Sequence, residues 1–175
     1  MRLLSCLMCM VATAPMAQTA DWRAHVAEVV DGFETAALAE QSVPFQMERE
    51  SPVIRSALAS SLGMTDEIYE SSALAGYEYA ASVSEVTALH LDRAQLVYGE
   101  GDGISWAVLP YEIQIEMQGF SGLPAMCNIL AIFGTPDDSY VAVLGYPPTD
   151  AIIADAMPLT EQMMASAGEC NPVLN

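Results

Sequence analysis

Eight residues constrain this chain more than any others: Tyr111-Glu112-Ile113-Gln114-Ile115-Glu116-Met117-Gln118. Apolar and polar side chains alternate there without a miss. Successive side chains of an extended strand point to opposite faces. Tyr111, Ile113, Ile115 and Met117 therefore share one face, and Glu112, Gln114, Glu116 and Gln118 the other. The stretch predicts a strand with one dry and one wet face, and the rest of the chain must cover the dry one.

The β signal extends to either side. Residues 96–98 and 104–109 read as strands joined by Gly99-Glu100-Gly101-Asp102-Gly103, a long hairpin turn. Pro110 is expected to break or bulge the path. Residues 119–125, with Gly122 and Pro124, read as a loop. Residues 128–133 are almost wholly apolar, as in a strand covered on both faces. Thr135-Pro136-Asp137-Asp138 is turn chemistry, and residues 140–144 return as the hairpin partner. Residues 77–91 are mixed. Tyr77, Tyr79, Ala81 and Val83 alternate, which favours strand, while the alanine content would let a preceding helix continue. Strand is the reading taken, surest from Val86.

Helical periodicity flanks this region. Trp22, Val26, Val29, Val30, Phe33 and Ala37 fall on one face of a helix over 21–41, with Asp21 at its N-terminus. Residues 42–50, with Pro44, read as a linker. Ser51-Pro52 announces a second helix, a capping hydroxyl followed by proline, with Val53, Ile54, Ala57, Leu58 and Leu62 as its dry side and Gly63 as its stop. Thr65-Asp66 caps a third helix reaching about residue 75. A last helix over 149–167 has Ile152, Ile153, Ala156, Leu159 and Met163 on its dry side, and Pro158 should kink or split it. The sum is an α+β domain over 21–175: helical over 21–75, β-rich over 77–145, helical again at 149–167. An antiparallel sheet of about five or six strands is packed by N-terminal helices and a C-terminal helix.

The first residues follow the order of a secretory leader. Arg2 supplies a charge, residues 3–14 are largely apolar, and small residues follow, with cleavage after Ala17 or Ala20. The apolar run is shorter than the roughly 20 residues that span a membrane, and Cys6 and Cys9 come too early for a lipoprotein. No later segment is long and apolar enough to cross a membrane, so the mature chain of about 155 residues is expected to be one soluble domain in the periplasm or outside the cell. The acids number 23 and the bases 5, all Arg. Loss of Arg2 would leave 4 bases, a formal −19. Such a surface excludes nucleic acid and anionic lipid as partners, since both need a positive face. The absence of lysine beside abundant alanine fits a GC-rich bacterial genome. Cleavage leaves two cysteines, Cys127 and Cys170, which in an oxidising compartment should pair.

Most motif-borne chemistries are excluded by the residues present. The glycines at 99, 101 and 103 are not the dinucleotide fingerprint: the third comes one residue early and a strand follows. Glu100 and Asp102 are weak candidates for a cation site, without calcium-loop spacing. Gly119-Phe120-Ser121-Gly122-Leu123 lacks the closing glycine of a nucleophile elbow. His25 lies at the edge of the first helix's dry stripe and reads as a packing residue. His90 and Asp92, two apart in a strand, would share a face, yet no second ligand cluster completes a metal site. With 23 acids no carboxylate pair is singled out for glycosidase work, and a chain without lysine has neither a Schiff-base nor a Walker lysine. Met117, Met126, Met157, Met163 and Met164 read as core filling, with an adaptable partner surface as the other use. No catalytic residue, metal site or cofactor is assigned. The expectation is an exported, non-enzymatic domain that binds a protein or small ligand. Two alternatives stand beside it: an extracytoplasmic hydrolase with a dispersed site around His90 and Asp92, and an envelope structural or assembly component.

Overall fold

A computed structural model describes residues 20–120, 122–170 and 173–174. The leader expected over 1–17 or 1–20 lies outside them apart from Ala20. The order is α1 (Ala20–Leu38), α2 (Ser42–Glu48), α3 (Pro52–Ser61), α4 (Asp66–Val83), β1 (Ser84–Leu91), a 3-10 turn (Arg93–Gln95), β2 (Val97–Gly101), β3 (Ile104–Met117), β4 (Met126–Thr135), β5 (Asp138–Leu144), α5 (Pro147–Ala156) and α6 (Leu159–Ser166). This is the expected α+β class, with six helices and a five-stranded antiparallel sheet among the described residues.

β3 is the axis of the sheet. One of its edges pairs with β4 from Ser105 to Ile113, and β5 lies beyond β4. The other edge is shared: β2 pairs with residues 104–108 and β1 with residues 111–117. Pro110 sits at this change of partner and does not interrupt the strand, contrary to expectation. Its carbonyl accepts from Asp92 N at 3.1 Å, so its N-terminal side, which carries no proton, faces the gap between β1 and β2. A proline there removes no ladder bond.

The sheet is dry on both faces, not one. α1 packs Trp22, Val26, Val30 and Phe33 against Ala107, Leu109, Tyr111, Ile113, Leu130 and Ile132. α3, α5 and α6 bring Ile54, Ile153, Leu159 and Met163 against Trp106, Val108, Phe133 and Leu144 on the opposite face. Burying each such large side chain contributes about 2 kcal/mol. The first half of β3 is apolar apart from the buried Ser105, which permits cover on both sides, while the alternation of its second half governs only the part beyond α6. Even there the pattern is imperfect. Glu112, expected wet, is 4% exposed, and Met117, expected dry, is 40% exposed because the strand outruns its cover.

Several local expectations are corrected. Residues 42–48 are a helix: Pro44 stands in its first turn, where a missing N–H costs nothing. α4 continues through Gly76 to Val83, so the alternation of Tyr77 and Tyr79 is not strand; Tyr79 is exposed and alanines on either side favour helix. Thr65 Oγ1 accepts from Ile68 N at 3.4 Å at the start of α4. Gly99 and Gly101 lie within β2, and only Asp102-Gly103 forms the turn, with both φ positive as a two-residue hairpin requires. A Cβ on Gly99 would stand 2.0 Å from Trp106 Cζ2, so close ring packing demands that glycine. Val53 of α3 and Leu62 just past its end face solvent, leaving Ile54 and Ala59 as the helix's buried contacts. Pro158 does split the last helix, into α5 and α6.

Candidate functional site

Two concavities lie at opposite ends of the face that carries α3, α5 and α6. The larger, about 810 Å³, covers the second half of β3 beyond the reach of α6. Its floor is Glu112, Gln114 and Glu116, and its walls are residues 122–125, the Cys127–Cys170 pair, Val173 and Leu174. The two cysteines stand at disulfide distance with Cα atoms 6.0 Å apart, as expected from their count. The polar groups of this cleft are largely engaged by the chain itself. Glu112 Oε2 accepts from Val173 N at 2.7 Å and Leu174 N at 3.0 Å, and Gln114 Nε2 donates to Leu123 O at 2.6 Å. The two backbone N–H groups hold the Glu112 carboxyl below its ordinary range, with a smaller contribution from His90 across the strand pair. An acid kept ionised this way is a clamp for residues 173–174, not a proton donor.

The second concavity is a groove of about 450 Å³. Four structural transitions meet there: the β2–β3 turn, the β4–β5 turn, the start of α3 and the break between α5 and α6. The sheet supplies Ile104, Phe133 and Tyr140, the helix break Met157, Pro158 and Leu159, and the start of α3 Ser51 and Val53. Phe133 and Tyr140 are directly cross-strand, with ring centroids 5.8 Å apart. Asp102 and Asp138 stand at the two turns. Gly134, at φ 124°, lets β4 pass within contact of Asp138; a Cβ would meet Asp138 O at 2.2 Å. Ser51 is 6% exposed, yet its hydroxyl makes no capping bond to α3 and has no hydrogen-bond partner among the described residues. Unlike the Thr160 hydroxyl, which is fully buried without a partner, the Ser51 oxygen keeps some exposure at the groove. Among the described residues no base is hydrogen-bonded to it, and the hydroxyl can both donate and accept.

The residues singled out in the sequence disperse. His90 lies in β1 opposite Glu112. Asp92 lies past the end of β1, where its carboxylate accepts from Gln95 Nε2 at 2.6 Å, so the two do not sit side by side on one strand face. Glu100 pairs with Ser105 inside the β2–β3 hairpin, and Asp102 joins the groove. Among the described residues no three of His, Cys, Asp and Glu converge as metal ligands. His25 bridges α1 to β5, with Nε2 2.7 Å from Ser139 Oγ, and stacks near Trp22. Met163 is fully buried, so it is core and not partner surface. A further polar knot, unforeseen in sequence, joins Glu50, Arg55, Tyr69 and Glu70 around the starts of α3 and α4. Burial raises the Glu50 carboxyl despite Arg55 and Tyr69, and burial with the Glu50 charge pushes the Tyr69 phenol up to about 12. Each polar end there already has a partner, which marks a structural knot.

Ser51 was legible only as a cap, because the proline after it signals a helix start; that its hydroxyl makes no capping bond is a tertiary fact. Fold and groove together define an α+β chain with helices on both faces of an antiparallel sheet and an apolar groove at one end. Comparison with models of protein families, with curated proteins and with solved structures returns no match to this chain. Among the described residues no helix is long and apolar enough to cross a membrane.

Proposed function

We propose that this chain is an exported, non-enzymatic binding protein that holds a small, mainly apolar molecule in the groove between the two hairpin turns and the α5–α6 break. The single observation behind this reading is the partnerless hydroxyl of Ser51 within walls formed by Ile104, Phe133, Tyr140, Met157 and Leu159. Ligand sites are typically concave and apolar, with a few placed polar groups that fix orientation. Export to the periplasm or beyond is supported by the leader-like order of the first 20 residues and by a cysteine pair at disulfide distance.

The test is a thermal-shift screen of small aromatic and aliphatic compounds, followed by titration of any hit. A ligand at ten times its Kd stabilises the native form by about 1.4 kcal/mol, or about 4 °C for a domain of this size. A hit that loses affinity in both Tyr140→Ala and Ser51→Ala supports the reading. Absence of any hit, or hits indifferent to both substitutions, refutes it.

A further inference from the structure

We infer that the groove selects a hydrophobic amine: an apolar or aromatic body with a protonated nitrogen, lying with its nitrogen toward Asp102 and Asp138 and its body against Phe133 and Tyr140. This deepens the groove reading and rests on it. The two carboxylates are the ionisable groups of acidic type at the groove, and no arginine lines it. The chain has no lysine and a formal charge of −18, so the long-range field has the same sign as the local one. A carboxylate or phosphate ligand would meet like charge at close range and from the whole surface. A cation meets opposite charge at both scales.

Position adds to charge. Asp102 is held at φ 53° in the β2–β3 turn and Asp138 begins β5, so the two carboxylates approach the groove from separate hairpins. The Asp138 carboxylate acts on the Tyr140 phenol and raises its pKa, which places that carboxylate beside the aromatic wall. Aromatic faces themselves attract a bound cation. Ser51, nearly buried and without a partner, offers the oxygen that a second N–H or a hydroxyl of the ligand would need.

Three probes of one skeleton separate charge from shape: 2-phenylethylamine, 2-phenylethanol and 3-phenylpropanoate, each titrated into the full-length mature protein and followed by amide NMR shifts. The amine should bind about three- to tenfold more tightly than the alcohol, since exposed carboxylates act through solvent. The propanoate should bind more weakly than both. Raising salt from roughly 0.02 M to 0.5 M should shrink the amine's advantage. The double variant Asp102→Asn/Asp138→Asn should bring the amine down to the alcohol's affinity. Equal binding of amine and alcohol, or a preference that survives the double variant, overturns this inference while leaving the groove reading intact. Failure of the amine to move groove resonances also overturns this inference, while the groove reading stands or falls on the wider thermal-shift screen.

Discussion

Replacing Cys127 and Cys170 together by serine is the sharpest test of how the end of the described chain is held. The pair is 43 residues apart in sequence, closing a loop of 44 counting both ends. Inside that loop lie most of β4, all of β5, α5 and α6. Cross-linking a loop of this length removes denatured-state entropy worth about 4 kcal/mol at 25 °C. For a domain of about 150 residues each kcal/mol moves Tm by about 3 °C, so the double variant should melt about 12 °C lower. Equilibrium urea unfolding of the oxidised parent and the variant measures the loss directly, and the m value should rise because the uncrossed unfolded chain exposes more surface. Thiol titration of the unfolded, unreduced parent should find neither cysteine reactive. In the variant, residues 173–174 keep their two bonds to Glu112 but lose the covalent tie. Hydrogen exchange at those amides should therefore accelerate while β3 stays protected. A loss below about 1 kcal/mol, or two reactive thiols in the unreduced parent, would refute the reasoning.

Other positions give independent checks. Gly99→Ala places a methyl 2.0 Å from the buried Trp106 ring, and should cost about 1–3 kcal/mol by overpacking; wild-type stability in urea would show that the ring has room to move. Thr160→Val should stabilise by about 1 kcal/mol, because the Thr160 hydroxyl is buried without a partner and valine has the same shape; a calorimetric Tm below the parent's would contradict this. The native carboxyl of Glu112 lies below its ordinary range, so its clamp on residues 173–174 is complete above the unfolded-state pKa and is lost as pH falls through the depressed native value. Protection factors of the Val173 and Leu174 amides, with the intrinsic pH dependence of exchange divided out, should fall on that descent and be low at all pH in Glu112→Gln; identical profiles for the two proteins would remove the clamp.

Much of the architecture could be read from local pattern. The stripe of Trp22, Val26, Val30 and Phe33 became the buried side of α1 because a 3.6-residue period leaves one face to cover. The apolar run at 128–133 became a central strand buried on both sides, since only a covered strand tolerates so little polarity. Pro158 divided the last helix for want of an N–H. Residues 77–83 went the other way because alternation over so short an alanine-containing stretch does not outweigh helix propensity once no sheet edge receives it. Gly99 and Gly101 were read as a turn because glycine signals both turn and close approach, and only the positions of Trp106 and Leu159 distinguish the two.

The sequence by itself determined the class: helices, an antiparallel sheet, and an acidic chain without lysine that carries four cysteines. Those properties follow from period, composition and count, each carried by neighbouring residues or by the chain as a whole. Tertiary structure alone decided the site. Ser51, Asp102, Phe133, Tyr140 and Met157 come from four separate places in the chain and meet only because the hairpin turns and a helix break end at the same edge of the sheet. It alone also turned Glu112 from a solvent residue into an anchor, by bringing residues 173–174 across 61 positions to its carboxylate. Burial and convergence are properties of distance in space, which no run of neighbouring residues encodes.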